Sequence, residues 1–443
     1  MQILDHVFMV TYLGLILLLS FYGIHRYWIL YLYFRHYKWA KPMPVPSLPD
    51  LLPIITVQLP VYNERYVVER LIEAVCQLDY PKDRLEIQVL DDSVDDTSAI
   101  LQQRIDHLRE QGGFWIEHVR RSNRTGYKAG ALAAGLAGSQ GKYLAIFDAD
   151  FIPPADFLKK TLPYFLDPGV GMVQTRWGHL NENYSLLTWI QSIFLDGHFL
   201  IEHTARNRSG AFFNFNGTAG IWRREAIATS GGWQHDTLTE DLDLSYRAQM
   251  KGWRFVYLPE VVCPAELPVD IHAFKTQQNR WTMGAIQTAK KMLPTIWRAS
   301  LPLKVKVEAT FHLTACIGYL LAAAFSVLMP LSLYFRSRNH WPVTGMIEVV
   351  ALVGTTISMG LFYGICQREL HADWKPRLRN LPLMMSIGMG ICLSNAKAVL
   401  QGLSPRQFEF RRTPKYSIIP GDTSWKKKNY RSRNSSAAVV ELA

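Results

Sequence analysis

Lys142-Tyr143-Leu144-Ala145-Ile146-Phe147-Asp148-Ala149-Asp150 is the stretch on which the fold turns. A short apolar run of this kind is how a strand buried on both faces reads, and it stops at two carboxylates one residue apart. The Ala/Gly-rich helix around Ala129 to Leu136 comes just before it. Upstream, Ile54 to Leu59 and Leu85 to Leu90 read as strands, while Glu64 to Leu78 and Thr97 to Gln111 carry helical periodicity. Strands alternating with helices from about Ile54 to Pro268 predict an α/β domain with a mostly parallel sheet covered by helices. Ligands in such sheets sit at the carboxyl ends of the strands, so chemistry is expected just after each strand.

Polar clusters fall in those places. Pro60-Val61-Tyr62-Asn63-Glu64 follows the first strand, Asp91-Asp92-Ser93 the second, and Asp148-Ala149-Asp150 the third. Residues two apart at a strand end point to one side, so Asp148 and Asp150 repel each other and call for a cation. Mg²⁺ or Mn²⁺ held by one or two carboxylates keeps positions for substrate phosphates. Solvated turn aspartates are the plainer alternative. Thr239-Glu240-Asp241 opens a helical run, where capping alone would explain a threonine followed by acids. The chemical reading makes Asp241 a general base. Gln277, Arg280 and Trp281 share one helix face by their i, i+3, i+4 spacing. A guanidinium there suits phosphate and an indole suits a sugar ring, with an interfacial membrane anchor as the alternative.

The rest of the chain is a membrane protein's. Of 443 residues, 49% are hydrophobic and 19% charged, which excludes a disordered or collagen-like chain. Val7 to Leu32 is almost wholly apolar and aromatic, long enough for a retained anchor helix and too long for a signal-peptide core. Arg35, His36, Lys38 and Lys41 follow it and predict a cytoplasmic C-terminal end. Val307 to Phe335, Met346 to Cys366 and Leu381 to Leu403 are further apolar runs. Three full spans after the catalytic domain would leave the basic tail outside, so either the last run, with Asn395 and Lys397, is interfacial or re-entrant, the favoured reading, or one long run is divided differently. Trp297, Tyr319 and Tyr334 suit packing or an interfacial belt better than a glycan path. The net charge of +11 comes largely from residues flanking apolar segments, which favours membrane lipids over nucleic acid as partner. The five cysteines have no C-x-x-C spacing and suit free thiols facing a reducing compartment.

Taken in order, Asp92, Asp148-Ala149-Asp150, Thr239-Glu240-Asp241 and Gln277-Gln278-Asn279-Arg280-Trp281 resemble the motifs of family-2 inverting glycosyltransferases of the GT-A, Rossmann-like fold. The chain is most similar to their processive, membrane-embedded branch, which holds cellulose synthase and the cellulose-synthase-like mannan and xyloglucan-backbone synthases. Phe215-Asn216-Gly217-Thr218-Ala219-Gly220 looks like the mannan and xyloglucan type, and Phe410-Arg411-Arg412-Thr413-Pro414-Lys415 resembles the gating loop of cellulose synthases. Arg412 stands where that loop normally has a valine, which argues against cellulose as product.

The resemblance implies roles. Asn63, Glu64 and Asp92 would contact the donor nucleoside, Lys128 the donor phosphates or ribose, and Asp148 both donor and metal. Asp150 would hold the metal, Asp241 with Glu240 would form the catalytic pair, and Gln277 and Arg280 would hold the diphosphate. Trp281 would bind the acceptor, and Thr413 and Lys415 would close over the nucleotide. The implied organisation is a membrane anchor over 1–42, a catalytic domain over 53–268, interfacial helices with the Q-x-x-R-W motif over 269–304, a transmembrane or interfacial region over 305–403, and a gating-like loop with basic tail over 404–443. The implied function is polymerisation of a β-linked, expectedly β-1,4, glucan or mannan from UDP-glucose or GDP-mannose with Mg²⁺ or Mn²⁺. The catalytic domain would be cytoplasmic at an inner or plasma membrane, with a growing polysaccharide acceptor and an accessory export subunit as partners. Single transfer to a polyprenyl phosphate, or an inactive sugar-nucleotide sensor, are the competing readings.

Overall fold

The computed structural model describes residues 2–38, 46–48, 51–339, 342–406, 408–410, 412–418, 425 and 428. Seven strands form one sheet in the order β3-β2-β1-β4-β6-β5-β7. They are β1 Ile55–Val61, β2 Leu85–Asp91, β3 Trp115–Arg120, β4 Tyr143–Ile146, β5 Val170–His179, β6 Gly220–Arg223 and β7 Arg254–Ala265. β1 pairs in parallel with β2 and β4, β2 with β3, and β5 with β7. β6 alone runs the other way, antiparallel to both β4 and β5. The mostly parallel sheet expected from the strand–helix alternation is therefore present, with one reversed strand in its middle.

That reversal shapes the site. Because β6 is inverted, its amino end lies at the same edge as the carboxyl ends of β1, β2, β4, β5 and β7. The segment Asn216-Gly217-Thr218, just before β6, thus arrives beside Asp148 and Asp150, which follow β4. Thr218 Oγ1 accepts from the Asp148 backbone N–H at 2.9 Å, joining the two segments.

The strands are apolar because both faces are covered. Val57, Ile87 and Ala145 pack with Leu71, Ile72 and Phe157 on one side. Leu144, Ile146 and Trp222 pack with Leu132, Leu244 and Phe213 on the other. Burying side chains of this size yields about 1.5–3 kcal/mol each, and that burial holds the strand ends in register.

Several expected boundaries move. The helix after β1 starts at Val68 rather than Glu64, because residues 64–67 form a turn in which Val67 N–H and Val68 N–H both donate to Glu64 O. The run from Val307 to Phe335 is not one helix. It divides into Leu303–Thr314 and Ile317–Asn339. The run from Leu381 to Leu403 likewise divides at Ile391 into Leu381–Gly390 and Cys392–Leu403.

Among the described residues, three helices are long and apolar enough to cross a membrane: Ile3–Lys38, Ile317–Asn339 and Thr344–Leu370. A fourth candidate is the pair Trp374–Gly390 and Cys392–Leu403, bent by 45°, which is the geometry of a broken span or a re-entrant segment. In that pair Asn395 is fully buried while Lys397 is exposed. Trp297 and Tyr334 are also largely exposed, so neither lines an interior path. The expected linker residues Lys41 and Pro42, and Lys426, Lys427 and Arg431 of the tail, lie outside the described residues.

The long helix Ile271–Arg298 ties the sheet to the apolar helices that follow it. Asp270 caps it, its carboxylate accepting from His272 N–H at 2.9 Å and Ala273 N–H at 3.3 Å. Cys392–Leu403 packs along it, with Asn279 Nδ2 donating to Ser394 Oγ at 2.9 Å. A Cβ at Gly402 would fall 2.8 Å from the Met283 carbonyl oxygen, so glycine there is what lets the two helices approach.

Candidate active site

A cavity of about 170 Å³ opens at the carboxyl edge of the sheet. It gathers Glu64, Asp92, Lys128, Asp148, Asp150, Glu240, Asp241, Gln277, Arg280, Trp281, Thr413 and Lys415 into one lining. Residues separated by more than 300 positions in the chain thus meet around one space. Of the residues singled out in the sequence, Asn63 is the one not found in that lining. Its φ is +56°, its Oδ1 accepts from Val94 N–H at 2.9 Å, and its backbone N–H donates to Ser93 Oγ at 2.8 Å. Asparagine tolerates this left-handed conformation, so Asn63 shapes the turn that carries Glu64 inward.

At the centre stands Lys128, on the first turn of the helix Tyr127–Gly138. Its ammonium donates to Asp148 Oδ1, and to the Gly217 carbonyl at 2.9 Å. Gly217 has φ +80°, and a Cβ there would lie 3.0 Å from Asp241 Oδ2 and 3.3 Å from Lys128 Nζ. Glycine is needed on both counts, conformation and closeness. Asp241 and Glu240 open the helix Glu240–Met250. Thr239 precedes them without a side-chain cap bond, its hydroxyl instead meeting that of Thr288 at 3.3 Å. Simple capping therefore does not account for Thr239-Glu240-Asp241.

Electrostatics set this pair apart. Burial pushes the Asp241 carboxyl well above the usual aspartate range, the Glu240 charge adds to the push, and Lys128 opposes it. Burial also raises Glu240, against the pull of Lys128 and Arg280. Raised carboxyls facing a cleft are where a general base is expected. Burial likewise raises Asp148, again opposed by Lys128.

Asp148 and Asp150 bring two carboxylates to the cavity wall, and each carries a lysine. Lys415 Nζ lies 2.5 Å from Asp150 Oδ2 and also donates to the Glu266 carbonyl. Among the described residues no cluster of three or more His, Cys, Asp or Glu side chains could cage a metal. Two oxygen donors at an open cavity fit a hard divalent cation that takes its remaining ligands from phosphates and water. The residues present fit Mg²⁺ or Mn²⁺ in that manner.

Asp92 is held tightly, accepting from Arg121 Nε at 2.9 Å and from its Nη2. The segment 412–418 covers the neighbouring wall. Arg412 lies 2.9 Å from Glu64 Oε2. Burial lifts the Glu64 carboxyl to about 7 despite the Arg412 charge. Glu266, just past β7, anchors the segment further, accepting from Tyr416 N–H at 2.8 Å and from Arg70 Nη2 at 2.9 Å. Phe410 sits 4.5 Å beneath the Arg280 guanidinium and stacks on Tyr127. Arg411 lies outside the described residues.

On the opposite side, Trp281 faces Trp177 with ring centroids 6.4 Å apart. Trp177 and His179 come from the end of β5, a strand not recognised from the sequence. Phe410, Glu266 and Asn216 also line the cavity and carried no role in the sequence reading. Asn216 lay in a quoted motif, so its signal was visible. Glu266 is a lone acid in an irregular stretch and offered none.

Comparison with known proteins agrees with this geometry. A family described as glycosyltransferase like family 2 matches residues 53–284. Glucomannan 4-beta-mannosyltransferase 1 of Oryza sativa subsp. japonica is 38% identical over 343 residues, covering 74% of this chain and 64% of the relative. Glucomannan 4-beta-mannosyltransferase 7 of Arabidopsis thaliana is 36% identical over 401 residues, covering 88% and 69%. The chain spans about half to two thirds of the length of such curated relatives. Among solved structures, the mannosyltransferase PcManGT of Pyrobaculum calidifontis, in complex with GDP-Man and Mn²⁺, superposes with a TM-score of 0.58 at 20% identity. That match covers 89% of this chain and all of the other. The GT-A arrangement expected from the motifs is the one found. With a family match over more than half its length, the chain belongs to the glycosyltransferase-like family 2.

Proposed function

We propose that this chain is a membrane-integrated, inverting glycosyltransferase that extends a β-1,4-linked mannan from GDP-mannose. The observation that carries the reading is the grouping of Asp241, Lys128 and Asp148 around Gly217, with Trp281 across the same cavity. Mannose is preferred over glucose because the similar plant proteins are glucomannan 4-beta-mannosyltransferases.

In this reading Asp241, ionised, takes the proton from the acceptor hydroxyl. The freed oxygen attacks the anomeric carbon on the face opposite the diphosphate, and one displacement inverts the configuration. Lys128 and Arg280 bring positive charge to the departing diphosphate. Asp148 and Asp150 would hold a divalent cation, which when bound offsets further charge on that leaving group. Glu240 keeps Asp241 basic by its own charge. Gln277 orients the diphosphate, Trp281 and Trp177 offer flat faces to the acceptor sugars, and Glu64 and Asp92 lie on the nucleoside side. Thr413 and Lys415 close that side. Residues 53–268 act as the catalytic unit on the cytoplasmic face, and residues 269–304 join it to the bilayer.

Release of free nucleoside diphosphate by the purified protein in lipid vesicles tests this. With GDP-mannose and UDP-glucose offered separately, with Mg²⁺ or Mn²⁺ and a short β-mannan primer, release is expected from GDP-mannose and to rise with primer. Release from UDP-glucose alone would overturn the donor assignment.

A further inference from the structure

The rod that runs from Leu186 to Ser209 changes pitch in its middle. An α-helix over Leu186–Asp196 passes into a π-helix over Gly197–His203 and back to an α-helix over Thr204–Ser209. Insertions of this kind re-aim side chains and concentrate at functional sites. Here the π turn leaves His198 and Glu202 each about 30% exposed and buries His203 completely.

Both histidines grip one amide. Asn216 Nδ2 lies 3.0 Å from His198 Nε2, and Asn216 Oδ1 lies 2.5 Å from His203 Nε2. We propose that His198 and His203 are positioning residues that fix the amide of Asn216 in one orientation, so that it presents a hydrogen-bonding edge to the acceptor sugar. The proposal rests on the glycan-transfer reading above.

The hydrogen-bond directions leave one consistent arrangement. Asn216 Oδ1 only accepts, so His203 carries its proton on Nε2 and donates. Asn216 Nδ2 only donates, so His198 Nε2 is a lone pair and its proton sits on Nδ1. That proton points at Glu202 Oε2, 3.1 Å away. Glu202 is held in turn by Arg206 Nη1 at 3.1 Å, and Arg206 Nε by Glu308 Oε1 at 3.0 Å. Turning the amide over would break both ends. His203 would have to move its proton to Nδ1, which is buried without a partner. His198 would turn a lone pair toward the Glu202 carboxylate. Burial holds His203 well below the usual histidine range, so it stays neutral. Burial favours a protonated Glu202, but Arg206 and His198 outweigh it and keep it an acceptor.

The amide's location assigns it to the acceptor. Asn216 lines the cavity next to Gly217, where a Cβ would lie 3.0 Å from Asp241 Oδ2. Phe199, beside His198, packs on Trp177 at 4.8 Å, and Trp177 faces Trp281. The amide therefore lines the same cavity as the proposed base and the two indoles. Each histidine uses one of two N–H bonds or lone pairs, and the remaining N–H and lone pair suit a sugar hydroxyl, which both donates and accepts. A reversed amide would exchange donor for acceptor at that wall.

The test uses the full-length protein in vesicles with short β-1,4-mannooligosaccharide primers. His198→Leu removes the acceptor of the Asn216 N–H. The primer KM is expected to rise about tenfold, the size of one lost hydrogen bond, with donor KM unchanged. His198→Gln, whose amide oxygen accepts the same N–H, is expected to restore primer KM to within about threefold. An unchanged primer KM in His198→Leu, or equal changes in donor and primer KM in both variants, would overturn the clamp. If the wild-type protein itself shows no saturation with primer, the glycan-transfer reading fails and takes the clamp with it. Saturation by wild type with no effect of His198→Leu sinks the clamp alone.

Discussion

The Arg412 guanidinium lies 2.9 Å from the Glu64 carboxylate, joining the segment after the last membrane helix to the turn after the first strand. Both side chains are about 15% exposed, so the pair is shielded and its charges are costly to separate. A valine at this position, as in cellulose synthases, could not make this contact. Arg412→Val is expected to remove the nearer counter-charge of Glu64, leaving Lys415, and to loosen the 412–418 segment, raising donor KM more than it lowers kcat. Combined with Glu64→Gln, the effects on kcat/KM should be non-additive by about 0.5–3 kcal/mol, as for contacting partners. Strictly additive effects would show that the contact does not matter for donor binding.

Asp241→Asn keeps the shape of the carboxylate and removes its basicity. Turnover is expected to fall by about 10²–10⁴-fold, the usual worth of a general base. Donor affinity, measured by calorimetry, should stay within about threefold. Normal turnover in this variant would take Asp241 out of the base role.

The acidic limb of the kcat–pH profile has a definite sign. Burial and the Glu240 charge keep Asp241 protonated to higher pH than an ordinary aspartate. The base form is therefore lost as pH falls through that raised value, and kcat falls with it. Glu240→Gln removes one cause, so Asp241 ionises more easily and the limb moves to lower pH. It should remain above the ordinary aspartate range, because burial persists. A limb that moves to higher pH would contradict the coupling.

Asp150→Ala tests the cation site. Lys415 and the Glu266 carbonyl would remain, but one of the two carboxylates would be gone. The concentration of Mn²⁺ giving half-maximal activity is expected to rise at least about tenfold. The same metal titration as wild type would remove Asp150 from the ligand set.

Gly402→Val tests helix packing rather than chemistry. Its Cβ would fall 2.8 Å from Met283 O and 2.9 Å from Ile286 Cβ on the helix that carries Gln277, Arg280 and Trp281. Overpacking of this kind costs about 1–3 kcal/mol, so thermal stability in detergent should drop, with loss of activity at temperatures that wild type tolerates. An unchanged melting temperature would mean the two helices can part freely.

Much of this was legible beforehand because strands buried on both faces write themselves as apolar runs. Leu85 to Leu90 and Thr97 to Gln111 were placed almost to the residue. Asp148, Asp150 and Asp241 were found because polar residues stand out where such runs or a helix begin and end. β5 was missed because Arg176, Trp177 and His179 interrupt its apolar pattern. β6 was missed because Gly220 and Arg223 leave only Ile221 and Trp222 as an apolar run. The break between Thr314 and Ile317 leaves no mark in the sequence because composition stays apolar across Ala315 and Cys316. For Asn63 the resemblance implies a nucleoside contact, while its left-handed backbone places its amide oxygen on Val94 N–H. Arg412 was noticed as a departure, but its partner lies 348 positions earlier, and no local pattern predicts such a contact.

The measurement that bears most directly on the central claim is the product made by purified protein in vesicles from labelled GDP-mannose with Mn²⁺. The account predicts a high-molecular-weight polymer that a β-1,4-specific endomannanase degrades completely, and none from Asp241→Asn. Label confined to a lipid-extractable species that never lengthens, or a polymer resistant to that enzyme, would contradict it.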